Sequence, residues 1–250
     1  MIDQLILEIC TDSVYSCVQA EQGGAARVEL CANLFEGGTT PTAGCLRLAR
    51  QKITIPIHVL LRPRGGDFCY TDEEFAIMQY DLEMIKSLGA DGVVLGVLLP
   101  DGNIDVERTA ALIEQARPLK ITFHRAFDMV ADPMRALDQL IDLGVERILT
   151  SGQEKSALEG SELIAQLIQR AKDKIVIMPG GGITDRNIAR LHRETQAKEY
   201  HLTAREKLPS PMTYRNPNAF MGGELRVPEY ELTFTNAQKV ARTQQALQTS

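Results

Sequence analysis

The chain has 250 residues, with 27 Lys+Arg against 33 Asp+Glu and a formal net charge of -6. Hydrophobic residues at 44% and charged residues at 24% are ordinary globular usage, which excludes disorder and fibrous repeats and allows one large domain or two smaller ones. An acidic balance without a Lys/Arg block argues against nucleic acid, whose phosphates are gripped by clustered cations, and no apolar run reaches the roughly 20 residues that span a bilayer.

Eight short β-rich runs alternate with longer amphipathic stretches, the pattern of βα units around a parallel sheet. In chain order they are LILEI (5–9), ARVEL (26–30), IPIHVLLR (55–62), GVVLGVL (92–98), KITFHR (120–125), RILTS (147–151), KIVIM (174–178) and KEYHL (198–202). Between them, segments such as EEFAIMQYDLEMIKSLGA keep apolar residues at three and four spacing, Thr71-Asp72-Glu73 opens a helix, and Gly89 and Gly144 stand at helix ends. Eight such units in about 250 residues fit a closed (β/α)8 TIM barrel, so a single domain over 1–250 is expected. A doubly wound sheet is the alternative, but no glycine fingerprint follows the first strand. Residues 203–234, rich in Pro, Gly, Asn and Met, read as a long irregular loop before a final helix near Asn236 to Thr249.

Strand parity sorts the side chains. If Leu7, Ile9, Val28, Leu30, Ile57, Val59, Ile121, Phe123, Tyr200 and Leu202 face the helices, then Glu8, Cys10, Arg27, Glu29, Cys31, His58, Arg62, Thr122, His124, Glu199 and His201 face the barrel axis. So many ionisable groups must be paired, either as a structural network or as the lining of a solvated site. Arg62, His124 and His201 end their strands, where barrel enzymes place their chemistry, whereas His58 lies deeper and reads as a hydrogen-bonded core histidine.

The loops extend this reading. RPRGGDFCY (62–70) offers Arg62 and Arg64 beside Gly-Gly, which suits a bound carboxylate or phosphate or else pairing with Glu29 and Asp67. FHRAFD (123–128) sets His124 beside Arg125 and Asp128, as acid/base machinery or as an ion pair closing the loop. PGGGI (179–183) before a helix opening at Thr184-Asp185 makes Gly180, Gly181 and Gly182 an anion nest or a tight turn, with Ser151 of ILTSGQ nearby. A small anionic ligand held by Arg62, Arg64, Ser151 and Gly180–Gly182, with proton transfer by Glu8, Glu29, His124 and His201, is one functional reading.

Five cysteines, Cys10, Cys17, Cys31, Cys45 and Cys69, form no C-x-x-C pair and are expected as free thiols. Cys10 and Cys31 lie two residues beyond Glu8 and Glu29 on neighbouring strands, so they suit either a soft cation such as Cu(I) or two buried thiols. Compact zinc spacing is missing. The N-terminus MIDQLILEICTDS has neither a basic start nor a small-residue cleavage site, which points to the cytoplasm.

The set LEIC, RVELC, EGGTTPT (36–42), RPRGGDF, TFHRAFD, LTSG, PGGGI and SPMTYRN (210–216) resembles the CutC family, described as copper homeostasis proteins, over nearly the whole chain. The resemblance implies a (β/α)8 barrel, a cytoplasmic homodimer, and copper on Cys10 and Cys31, with no established reaction. Some members carry a second cysteine where this chain has Thr11, which removes one soft ligand.

Overall fold

The computed structural model describes residues 5–219 and 228–249. Its strands are β1 (Ile6–Thr11), β2 (Arg27–Leu30), β3 (Ile57–Leu60), β4 (Gly92–Leu95), β5 (Lys120–Phe123), β6 (Arg147–Thr150), β7 (Val176–Pro179) and β8 (Glu199–Leu202). All eight expected strands are present, and most are shorter than the apolar runs that announced them. They pair in the order β7-β6-β5-β4-β3-β2-β1-β8, every ladder parallel. A single parallel bridge between Gly180 and His201 brings β7 to β8 and nearly closes the ring.

Helices α1 (Val14–Gln22), α2 (Ala43–Lys52), α3 (Asp72–Ser87), α4 (Val106–Ala116), α5 (Pro133–Asp142), α6 (Ser161–Ala171), α7 (Ile188–Thr195) and α8 (Ala237–Gln248) form the outer layer. None of them is long and apolar enough to cross a membrane. The α3 segment shows why the sequence folds this way. Thr71 and Glu74 form a reciprocal capping box at its start, and Met78, Leu82 and Ile85 bury one face against the sheet. The outward strand residues, among them Leu7, Ile9, Val28, Ile57, Phe123 and Tyr200, are fully buried beneath these helices. Each such side chain contributes about 1.5–3 kcal/mol to burial.

Two expectations change. The stretch 203–234 is not simply irregular: β9 (Arg205–Pro209) and β10 (Glu231–Thr235) pair antiparallel within it, while 220–227 lie outside the described residues. The base of this arm is anchored to the barrel, because Thr235 N donates to Ser16 Oγ at 3.1 Å and the Phe234 ring meets Tyr15 edge-on at 5.1 Å. The helix after PGGGI starts at Ile188 rather than at Thr184-Asp185. Asn187 holds the intervening turn, accepting from Thr184 N at 2.8 Å and donating to Gly182 O at 2.8 Å.

Candidate functional site

The side chains opposite the apolar set fill the barrel in tiers contributed by alternate strands. In the lowest tier Glu199 is clamped by two guanidiniums. Arg27 donates to its Oε2 at 2.7 Å, and Arg147 donates to Oε2 and Oε1 at 2.6 and 3.2 Å. Arg27 also donates through Nε to Glu8, and His201 Nδ1 meets the other Glu8 oxygen at 2.7 Å. Burial alone would raise the Glu8 carboxyl, but Arg27 and then His201 outweigh it and hold the group well below the usual carboxylate range. Burial likewise lowers His201, yet Glu29 and Glu8 reverse the effect and raise it, so its Nδ1–H donates to Glu8.

Arg27 and Arg147 balance Glu8 and Glu199, and the carboxylate of Glu29 faces His201. Burial raises the Glu29 carboxyl. Its Oε2 accepts from the Cys10 thiol at 3.1 Å and stands 3.9 Å from His201 Nε2, beyond hydrogen-bond reach, while its Oε1 has no partner. Cys10 Sγ lies 3.9 Å from Cys31 Sγ, and the Cys31 thiol donates to Thr11 O at 3.4 Å. The Cys31 contact, burial and the Glu29 charge push the Cys10 thiol well above its ordinary value. Ligand atoms of Cys10, Glu29 and His201 lie within 4.8 Å of one another, a grouping able to hold a metal ion that linear spacing cannot reveal because it spans three strands.

His58 is buried as expected but is not hydrogen-bonded: its Nδ1 has no partner and the nearest carboxylate oxygen, on Glu8, is 3.9 Å away. Burial lowers it to about 4, so the ring is neutral. His124 sits at the top of the barrel over Gly96. Its Nδ1 accepts from Ala126 N at 3.1 Å, and burial followed by the Arg62 charge lowers it to about 3. The imidazole is therefore neutral with its proton on Nε2, and that nitrogen has no partner.

These groups wall a cavity of about 370 Å³ at the C-terminal mouth. Cys10, Glu29, Arg62, His124, Gly181, Gly182 and His201 line it, and Glu8 supports it from below. The remaining candidates are placed differently. Arg62 does not pair with Glu29; its Nη atoms donate to the carbonyls of Glu36, Gly38 and Gly66, which leaves Nε without a partner. Arg64 is not brought to the cavity, because Glu74 at 2.6 Å and Asp67 at 3.1 Å hold it at the start of α3. Ser151 and Gly180 stand behind the lining. Ser151 donates its backbone N–H to Asp128 and its hydroxyl to Glu154 O, and its Oγ accepts from Arg125 Nη2 at 2.7 Å, while Gly180 N donates to Thr150 O. Cys31 also lies behind the lining, against Cys10.

Arg125 is the residue that sequence reasoning undervalued. Asp128 accepts from its Nε at 2.6 Å, but this pair does more than close a loop, since it holds the guanidinium at the cavity beside Gly181. Among the described residues nothing accepts a hydrogen bond from the N–H of Gly182 or Ile183 in the same wall. A larger cavity of about 680 Å³ opens at the other end of the barrel, and none of the expected site residues lines it.

Comparison with known proteins agrees with this architecture. The model of the CutC family matches residues 5–206. A mouse protein named "Copper homeostasis protein cutC homolog" is 52% identical over 94% of this chain and 86% of its own length. A Parabacteroides distasonis protein named as a family protein CutC is 51% identical over 94% and 97% of the two chains. The crystal structure of the "Putative Copper Homeostasis Protein CutC" from Streptococcus agalactiae superposes with a TM-score of 0.76 at 36% identity, over 80% of this chain and 99% of that one.

Proposed function

The chain belongs to the CutC family, and from that premise we propose that its barrel mouth binds a small anionic metabolite and transfers a proton on it. One observation carries this reading: three buried polar atoms, Glu29 Oε1, Arg62 Nε and His124 Nε2, lack partners and all belong to residues of one cavity wall. An unmet buried hydrogen-bonding group costs about 1–3 kcal/mol, so a fold that retains three on residues lining one cavity is prepared for a polar ligand. Glu29 supplies the base, with Oε1 free of any hydrogen bond and Oε2 steadied by Cys10. His201 supplies the acid, oriented by Glu8. Arg125 with the N–H groups of Gly182 and Ile183 offers the anion grip.

A thermal-shift screen of phosphorylated and carboxylated metabolites tests the proposal. A ligand at about 100 times its Kd should add roughly 2.7 kcal/mol, or roughly 5–10 °C in a chain of this size. Arg125→Ala and Arg62→Ala should abolish the shift; a silent screen contradicts the reading.

A second reading is favoured by the 3.9 Å contact of Cys10 and Cys31 and by the names of the relatives. The two sulfurs suit a soft ion such as Cu(I), and Cys10 and Cys31 would hold it as thiolates once both S–H protons have left. Anaerobic titration with Cu(I) against a strong chelator should then give one tightly held ion that the Cys10→Ser/Cys31→Ser double variant loses. Unchanged uptake by that variant overturns the copper reading.

A further inference from the structure

Building on the proton-transfer reading, we propose that the metabolite carries its reacting oxygen on a planar carbon, as a carbonyl next to a carbon bearing a proton, and that His124 and Arg62 hold this oxygen as it gains charge. The geometry leaves these two side chains little else to do. Ala126 N–H occupies Nδ1 of His124, so the ring, on a residue that lines the cavity, can act only as an Nε2–H donor. The ring fits only because residue 96 is glycine, since a Cβ there would stand 2.5 Å from His124 Cε1. The Nη atoms of Arg62 are committed to backbone carbonyls, and only Nε–H remains. Phe68 packs against both, with its ring 4.9 Å from the His124 ring and 5.0 Å from Arg62 Cζ, so the two side chains share one patch of wall.

Two fixed N–H donors, one neutral and one cationic, suit an oxygen that becomes negative during reaction better than one that is neutral throughout. In the step this implies, Glu29 takes the proton from the carbon beside the carbonyl. The C–H electron pair becomes the C=C bond, and the carbonyl π pair moves onto oxygen, giving an enolate that accepts from His124 and Arg62. Return of the proton from Glu29 to carbon restores the carboxylate, and no co-reactant enters. A cavity of about 370 Å³ admits a chain of a few carbons with one phosphate or carboxylate at Arg125.

Calorimetric titration of the intact protein with phosphoglycolohydroxamate, a planar enolate mimic, and with glycerol 1-phosphate, which bears the same anion without a planar oxygen, tests this. The hydroxamate should bind at least about 100-fold more tightly. His124→Asn, which keeps an acceptor for Ala126 N–H but lacks the Nε2 donor, should cut that preference about 10-fold or more, and His124→Gln, which restores a donor, should recover it. Equal affinities in the wild type, or a preference that survives His124→Asn, overturn the enolate proposal alone. If neither compound binds, the anion site proposed above fails with it.

Discussion

Glu8 is the residue on which the interior electrostatics turn. It is fully buried and answers Arg27 and His201 at once, so Glu8→Gln leaves both cations short of an anion. Breaking a buried pair in this way costs about 3–5 kcal/mol, a loss that urea denaturation should register as a lower midpoint. Buried groups contribute to the pH dependence with two opposite signs. The Glu8 carboxyl is lowered in the folded state, so its contribution is present above the ordinary carboxylate range and is lost as pH falls through the lowered value. His201 is raised, so its contribution is full below its ordinary value of 6.5 and fades as pH rises through the raised one. His58 and His124, held neutral down to about 4 and about 3, oppose acidification: between pH 6.5 and those values only the unfolded chain takes up their protons. Urea midpoints should therefore fall on acidification below 6.5, and His58→Gln should flatten that slope. An unchanged slope contradicts the neutral, buried state of His58.

Among the elements, β4 is the most informative. A Cβ at Gly92 would lie 2.5 Å from His58 Cδ2, and one at Gly96 the same distance from His124 Cε1, so two glycines four residues apart give two imidazoles their room. Gly96→Ala is expected to cost about 1–3 kcal/mol by overpacking and to displace His124, which a lower melting temperature together with lost ligand binding would record. A variant with wild-type stability and binding would contradict that packing. The run GVVLGVL was legible as a strand from its apolar content, and parity even places both glycines inward, but what they make room for depends on β3 and β5 and is not local information. The same limit explains the other departures. Capping and parity follow short-range rules, so Thr71, Glu8, Glu29, Cys10 and His201 were placed correctly from sequence. The guanidiniums reach several residues away: Arg62 turned to backbone carbonyls, Arg64 to Glu74, and Arg125 to the cavity. The pairing of β9 with β10 joins segments more than twenty residues apart; ELTFT does alternate Leu232 and Phe234 with polar residues, but its partner REKLP does not, so no pair of matching runs announces the ladder.

For the whole molecule, the net charge of -6 is carried mainly by exposed groups, because the buried carboxylates of Glu8 and Glu199 are matched by Arg27 and Arg147, while Glu29 faces His201. That pair lies beside the seam where β7 meets β8 through the Gly180–His201 bridge, and the Glu8–His201 contact ties β1 to β8 there. Closure of the ring and poise of the site are thus one arrangement, so variants that loosen the seam should lose ligand binding and stability together. We assign the function to the C-terminal mouth rather than to the larger cavity at the opposite end. A crystal structure of the protein soaked with phosphoglycolohydroxamate tests it most directly. The phosphate is expected at Arg125 and the N–H groups of Gly182 and Ile183, with the planar oxygens within hydrogen-bond reach of His124 Nε2, Arg62 Nε and Glu29 Oε1. Density for the compound in the opposite cavity, or none at the mouth at saturating concentration, would contradict it.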